Sequence, residues 1–138
     1  MALKRAKELL KEGGYTCVFV TKTGEFFSKE RGIKPLLKIL NADMGTLGAH
    51  VADKVVGKAA AFLYEIMEIK ALYAATISVP ALEVLKRNGI YVEYDVLTEN
   101  IRNRANTGNC PMESAVWDVT DARLAREILE NKVNKGGL

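Results

Sequence analysis

The sequence has few reactive sulfur or imidazole side chains and no long hydrophobic run. It contains one histidine and two cysteines, Cys17 and Cys110, which are too few for a disulfide framework and fit a reducing compartment. No apolar stretch reaches the roughly 20 residues that cross a bilayer. The N-terminal segment alternates charges where a signal peptide would be apolar. We therefore predict a cytoplasmic protein with no membrane partner.

An excess of charge of one sign is also missing. The 20 Lys and Arg residues face 17 Asp and Glu residues, which gives a formal net charge of +3. Nucleic-acid-binding domains usually concentrate basic residues in a stripe, so this balance predicts no nucleic-acid partner. Hydrophobic residues make up 49% of the 138 residues, enough for one core. Residues 1–138 are predicted to form a single domain, with residues 132–138 as a flexible tail.

The elements that are present follow local patterns of hydrophobicity and of turn residues. Apolar residues at helical spacing predict helices, and β-branched or aromatic runs bounded by turn residues predict strands. Ser78 and Pro80 are typical of a helix start, and Gly89 of a helix end. The predicted helices are 2–12, 35–42, 51–67, 80–88 and 120–131, and the predicted strands are 15–20, 25–28, 69–77 and 90–97.

The order of these elements predicts an α/β fold. Residues 69–77 are almost continuously apolar, as in a central strand that is covered on both faces. A helix then leads to the strand at 90–97, which indicates a parallel pair, and the early hairpin adds an antiparallel edge. We predict a three-layer α/β/α sandwich with a mixed sheet of four or five strands. Residues 114–119 fit either a strand or a helix.

The segment 51–67 carries the first candidate binding residues. On the predicted helix, Asp53 near the N-terminus complements the helix dipole, whereas Lys54 opposes it. Lys58 lies four residues after Lys54, so two like charges share one face. A bound anion would relieve both conflicts, and Gly57 between the lysines would let it approach closely. The alternative is an ordinary polar stripe that faces solvent.

A second candidate group surrounds Cys110. Pro111 predicts a helix start, with Cys110 as the cap residue and Glu113 at the position of a capping-box acid. A thiol at a helix N-terminus is favoured as thiolate, so Cys110 is a candidate nucleophile, although an ordinary cap is the alternative. Arg102 and Arg104, in the preceding polar segment, would bind phosphate or carboxylate, or form a solvated basic loop.

Two motifs and the element order resemble known proteins. The order is similar to that of the cytidine-deaminase-like superfamily, over roughly residues 1–97. The motifs "VADKVVGKAAA" and "TGNCPME" resemble, more narrowly, a small prokaryotic family of deaminase-like proteins of unknown function. The resemblance implies the fold named above. It does not imply an established reaction.

The chain departs from zinc deaminases where the metal would be held. After Pro80, the two positions that would carry cysteines hold Ala81 and Val84. A catalytic zinc needs three suitable protein ligands, and this chain cannot supply them at that place. We therefore predict no metal, no cofactor and no zinc-dependent deamination.

The sequence leads to two hypotheses about function. The first is a zinc-free deaminase-like domain that binds a small anionic or nucleotide-like molecule. Lys54, Lys58, Glu113, Arg102 and Arg104 would bind the ligand, and Asp53 or Cys110 would supply any catalysis, as acid–base or as nucleophile. The second is a non-enzymatic domain for binding or assembly, which includes a homo-oligomer.

Overall fold

Five strands form one mixed sheet at the centre of the protein. The computed structural model describes residues 2–30, 32–101 and 110–134. The sheet order is β2-β1-β3-β4-β5; β1 is antiparallel to both of its neighbours, and β3, β4 and β5 are parallel. The mixed sheet and its early hairpin are confirmed. The strands are β1 Cys17–Val20, β2 Glu25–Ser28, β3 His50–Val56, β4 Ala71–Ser78 and β5 Tyr91–Thr98.

Six helices are present in the described residues. Several match the predicted segments to within a few residues, and the Ser78 hydroxyl accepts the Ala81 N–H at 3.2 Å as the predicted cap of the fourth helix. None of these helices is both long enough and apolar enough to cross a membrane. The helices are α1 Ala2–Gly13, α2 Lys34–Asn41, α3 Lys58–Met67, α4 Val79–Arg87, α5 Pro111–Val116 and α6 Ala122–Asn134.

Helices cover both faces of the sheet. Because side chains alternate along a strand, Val18, Ala52 and Tyr73 face α1 and form a small apolar cluster with it. Their neighbours Phe19 and Leu72 point the other way, into a larger cluster that includes residues of α2, α3, α4 and α6. The parallel strands β3 and β4 are therefore largely buried between two helical layers, which accounts for the continuous apolar run of β4.

The predicted helix at 51–67 is wrong in its first half. Residues 50–56 are the strand β3, which lies between β1 and β4, and α3 begins only at Lys58. Hydrogen bonds to a strand on each side stabilise β3 more than the local helix propensity of this segment would stabilise a helix. Three consecutive buried residues, 51–53, also fit a strand that is covered on both faces. Gly57 separates the strand from the helix as the N-cap.

Three smaller predictions concern the later part of the chain. The ambiguous segment 114–119 continues α5 to Val116 and then forms a turn, so it contains no strand. Of the predicted tail, residues 132–134 belong to α6, which extends to Asn134, and residues 135–138 lie outside the described residues. Arg102 and Arg104 lie outside the described residues.

Candidate functional site

A cleft of about 900 Å³ lies beside the end of β3. The short strand β1 pairs with β3 only as far as the Cys17–Asp53 pair, so the last residues of β3 have β4 on one side and this cleft on the other. The cleft therefore lies near the carboxyl ends of the parallel strands, where open α/β sheets usually bind ligands. Its lining includes Cys17, Ile33, Lys34, Leu36, Asp53, Val55, Gly57, Ala60, Cys110, Met112 and Glu113.

Asp53 is a buried carboxyl group in the lining of the cleft. It is 8% exposed, the Tyr64 hydroxyl donates to its Oδ2 at 2.6 Å, and the Val55 N–H donates to its Oδ1 at 3.2 Å. Burial raises the pKa of Asp53 to about 7, although the hydrogen bonds from Tyr64 and from the backbone oppose that rise. Near neutral pH the group therefore exists in both protonation states, and it can both accept and donate a proton.

Cys17 is the cross-strand neighbour of Asp53 and lines the same cleft. Its thiol is buried. Burial raises the pKa of the Cys17 thiol, and the nearby Asp53 charge adds to that rise. Cys17 therefore stays a neutral thiol at physiological pH and contributes an apolar surface to the cleft.

Glu113 binds the N-terminal end of α3 from a different helix. Its Oε1 accepts the Lys58 N–H at 2.6 Å, and its Oε2 accepts the Ala59 N–H at 2.8 Å. The carboxyl is 3% exposed; burial raises the pKa of Glu113, while those two backbone donors and the Lys58 charge oppose the rise. Glu113 thus supplies the negative charge that the end of α3 favours, in place of the predicted capping box within α5.

Gly57 makes this contact sterically allowed. A Cβ atom on Gly57 would overlap Oε1 of Glu113 and would lie 2.7 Å from Oε2. The glycine φ of −100° is ordinary extended backbone, so the absence of a side chain matters here for space and not for conformation. The close approach at Gly57 that the sequence predicts for a bound anion is made in the structure by the carboxylate of Glu113.

Lys58 completes the contact in the other direction. Its ammonium donates to the Trp117 carbonyl oxygen at 2.6 Å, just after the end of α5. We call this arrangement of Gly57, Lys58, Glu113 and Trp117 the α3–α5 clasp, because each helix satisfies a terminal group of the other. The ammonium of Lys58 therefore already donates to an acceptor within the protein, and the N-terminal end of α3 already binds a carboxylate. Neither group needs an anionic ligand as a partner.

Lys54 lies apart from both Asp53 and Lys58. Residues 53 and 54 are consecutive in β3, so their side chains project from opposite faces of the sheet. Lys54 is exposed at the edge of the cleft, and its backbone N–H donates to Thr16. The expected like-charge pair of Lys54 and Lys58 on one helical face is therefore wrong, because only Lys58 is in the helix.

Cys110 borders the cleft at the start of α5. The residue is half-buried, its backbone N–H donates to the Ile101 carbonyl oxygen at 2.9 Å, and its side chain makes no capping hydrogen bond. The segments around Asp53 and around Cys110, more than fifty residues apart, thus meet at one cleft. The predicted roles of Cys110 as nucleophile and of Asp53 as acid–base remain predictions.

Two residues of the site, Tyr64 and Lys34, are not among the predicted site residues. Tyr64 follows Asp53 by eleven residues, which on a continuous helix would separate them by about 16 Å. The strand–helix turn at Gly57 instead folds the Tyr64 hydroxyl back onto the carboxyl group. Lys34, an exposed residue at the start of α2, lines the cleft, and only the position of α2 beside the cleft could have revealed it.

Comparison with known proteins identifies a family. Residues 5–133 match the family model TM1506, described as a domain of unknown function (DUF1893), and the chain belongs to that family. No curated protein matches the chain. The crystal structure of a DUF1893 family protein from Thermotoga maritima is similar, with a TM-score of 0.87 and 28% identity over 95% of this chain and 89% of that one. These matches do not extend to the cytidine-deaminase-like superfamily, so that relationship stays a prediction.

Proposed function

We propose that this DUF1893 domain binds a small nucleotide-like molecule in the cleft beside β3, with a nitrogen heterocycle placed against Asp53. The observation that carries the proposal is a carboxyl group that is 8% exposed and that nonetheless lines a cleft of about 900 Å³. A buried acid is costly unless it is well partnered, and such groups are concentrated at functional sites.

Asp53 is suited to ring nitrogens that carry hydrogen. Each of its oxygens already accepts one hydrogen bond from within the chain, and a carboxylate has about four acceptor sites. The remaining sites would accept adjacent N–H groups of a heterocycle, such as the ring and amino N–H groups of a nucleobase. The predicted resemblance to deaminase-like proteins agrees with a ligand of this kind.

The rest of the cleft fits the other parts of such a ligand. Ile33, Leu36 and Met112 are buried apolar residues of the lining, and apolar walls suit the faces of a planar ring. Lys34 is exposed at the mouth and would interact with a phosphate outside the ring pocket. The anion-binding role predicted for Lys54 and Lys58 moves in this proposal to Lys34, because the clasp engages Lys58 and Lys54 projects from the face of the sheet opposite Asp53.

Catalysis on the bound molecule is a second candidate function. A carboxyl group with a pKa of about 7 exchanges protons efficiently at neutral pH, and Cys110 borders the same cleft as a candidate nucleophile. In the non-enzymatic alternative, the protein binds the same molecule but does not convert it. A substrate that is turned over by the wild type and by a Glu83→Gln variant, but not by Cys110→Ser, would favour catalysis.

Calorimetric titration with nucleobases, nucleosides and nucleoside monophosphates tests the binding proposal. Replacing Asp53 by Asn removes a charged acceptor, which we expect to weaken binding about 10- to 100-fold. Glu83→Gln makes the same chemical change on the exposed surface of α4 and should leave the affinity unchanged.

A second pair of variants tests the phosphate position. Lys34→Ala should remove the advantage of a monophosphate over its nucleoside, whereas Lys86→Ala, on the exposed surface of α4, should keep it. Absence of binding across the three ligand classes would refute the proposal. Equal affinities for the wild type and for Asp53→Asn would do so as well.

A further inference from the structure

The strand β5 forms a long edge of the sheet with several exposed apolar side chains. It has eight residues, and within the described part of the chain it pairs only with β4. Four of its large side chains are exposed, with Tyr91 at 59% and Val96 at 53%. The opposite edge, β2, has only four residues. Natural proteins usually shorten, charge or cover an edge strand because it otherwise recruits another strand.

The side chains of β5 are arranged symmetrically about Tyr94. The two residues next to Tyr94 are both acids, Glu93 and Asp95. The residues two positions away are both valines, Val92 and Val96, and those three positions away are both apolar, Tyr91 and Leu97. When two copies pair antiparallel about a twofold axis, the residue n positions before the axis lies opposite the residue n positions after it. A strand with this symmetry therefore fits its own copy.

The backbone of β5 supports the same register. The Tyr91 N–H donates to the Lys70 carbonyl at 3.2 Å, so the odd-numbered residues of β5 direct their amide and carbonyl groups toward β4. Residues 92, 94 and 96 consequently direct theirs toward the open edge. Pairing centred on Tyr94 places these even residues opposite one another, which is the arrangement that an antiparallel ladder requires.

On this basis we infer that two copies of the chain associate through β5, antiparallel and with Tyr94 on the twofold axis, to form one continuous ten-stranded sheet. Val92 lies opposite Val96 of the other copy on one face, and Tyr91 lies opposite Leu97 on the other.

The acidic residues next to the axis already have hydrogen-bond partners within each copy. Glu93 and Asp95 of the two copies lie opposite each other, which would be unfavourable for bare charges. However, the Lys7 ammonium donates to Glu93 at 3.3 Å and the Tyr73 hydroxyl donates to Asp95. Lys7 and Lys11 lie over the Tyr73 ring at 4.7 and 5.5 Å, on the same side of the sheet. Each copy thus pairs Glu93 with Lys7 and brings a second ammonium, that of Lys11, to the same side of the sheet.

Mass measurement in solution tests the association. Sedimentation velocity at micromolar to submillimolar concentration should give twice the 15.2 kDa of one chain. Val96→Lys should give a folded monomer, because it places a charge in the pairing edge, whereas Leu47→Lys, at a site that is 71% exposed outside β5, should keep the dimer. A monomeric wild type, or a Val96→Lys protein that still dimerises, would overturn the inference.

Crosslinking tests the register separately. In a Cys110→Ser background, Tyr94→Cys should form a disulfide-linked dimer on mild oxidation, because only the residue on the axis meets itself at a bridgeable distance. Tyr91→Cys, which is also exposed but lies opposite Leu97, should crosslink far more slowly. Equal crosslinking of the two variants would exclude an axis at Tyr94. If neither variant forms self-crosslinks, the inference is overturned, and a peptide or another protein becomes the candidate occupant of β5.

Discussion

Gly57→Ala should destabilise the protein far more than a glycine-to-alanine change at a helix cap normally does. The added methyl group would overlap the Glu113 carboxylate, which is 3% exposed and is held by two hydrogen bonds from the start of α3. The carboxylate would have to release the N–H groups of Lys58 and Ala59. Hydrogen bonds to charged groups contribute about 1.5–3 kcal/mol each, so we expect a loss of about 3–6 kcal/mol. Replacing a capping glycine alone costs about 1 kcal/mol or less.

Urea unfolding followed by far-ultraviolet circular dichroism measures this loss, and the emission of Trp117 reports on α5 in the same samples. Gly24→Ala is the matched control, because a Cβ there meets no atom within 4 Å, and its free energy of unfolding should barely change.

A double-mutant cycle separates the clash from any other effect of the alanine. Glu113→Ala removes the group that the methyl would meet, so in that background Gly57→Ala should cost about 1 kcal/mol or less. The coupling between the two positions should then be several kcal/mol. If Gly57→Ala costs the same in both backgrounds, or less than about 1 kcal/mol in the wild type, the steric reasoning is refuted.

Three further predictions concern neighbouring groups. The pKa of Asp53 is raised from its ordinary 3.8 to about 7, so its contribution to stability is fully present below pH 3.8 and is lost as the pH rises to 7. That loss is about 4 kcal/mol, and Asp53→Asn should remove it from the stability measured by urea unfolding across this pH range. Lys58→Met should lower the free energy of unfolding by about 1 kcal/mol and change the Trp117 emission, since it removes the bond to the Trp117 carbonyl; an unchanged emission would contradict the clasp. Iodoacetamide should modify Cys110 in the folded protein and Cys17 only in denaturant, because the Cys17 thiol is buried and its pKa is raised; peptide mass mapping would show any early labelling of Cys17.

Local signals in the sequence were sufficient for much of the fold. The Ser78 cap, the apolar run of β4 and the glycine after α4 each act within a few residues, and the β4–α4–β5 unit followed from them. β3 could not be identified in the same way, because the spacing of its apolar residues also fits a helix. Its strand character comes from β1 and β4 on either side, and such pairing is not visible in a short window of sequence.

For the candidate site, the sequence indicates only which two segments of the chain contribute residues. The two motifs around Asp53 and Cys110 indicated which parts of the chain to bring together, and the cleft includes both. The partners of each group were not predictable: Glu113 acts on α3 across 55 positions in the chain, and Tyr64 reaches Asp53 only because Gly57 reverses the direction of the backbone.

The fit between Gly57 and Glu113 also has a consequence for how relatives of this chain can vary. A descendant that acquires any side chain at position 57 loses the room for a carboxylate at position 113, and one that keeps the carboxylate is confined to glycine. The two positions should therefore change together across the DUF1893 family, with the order of the two substitutions constrained: a shortening of residue 113 must come first.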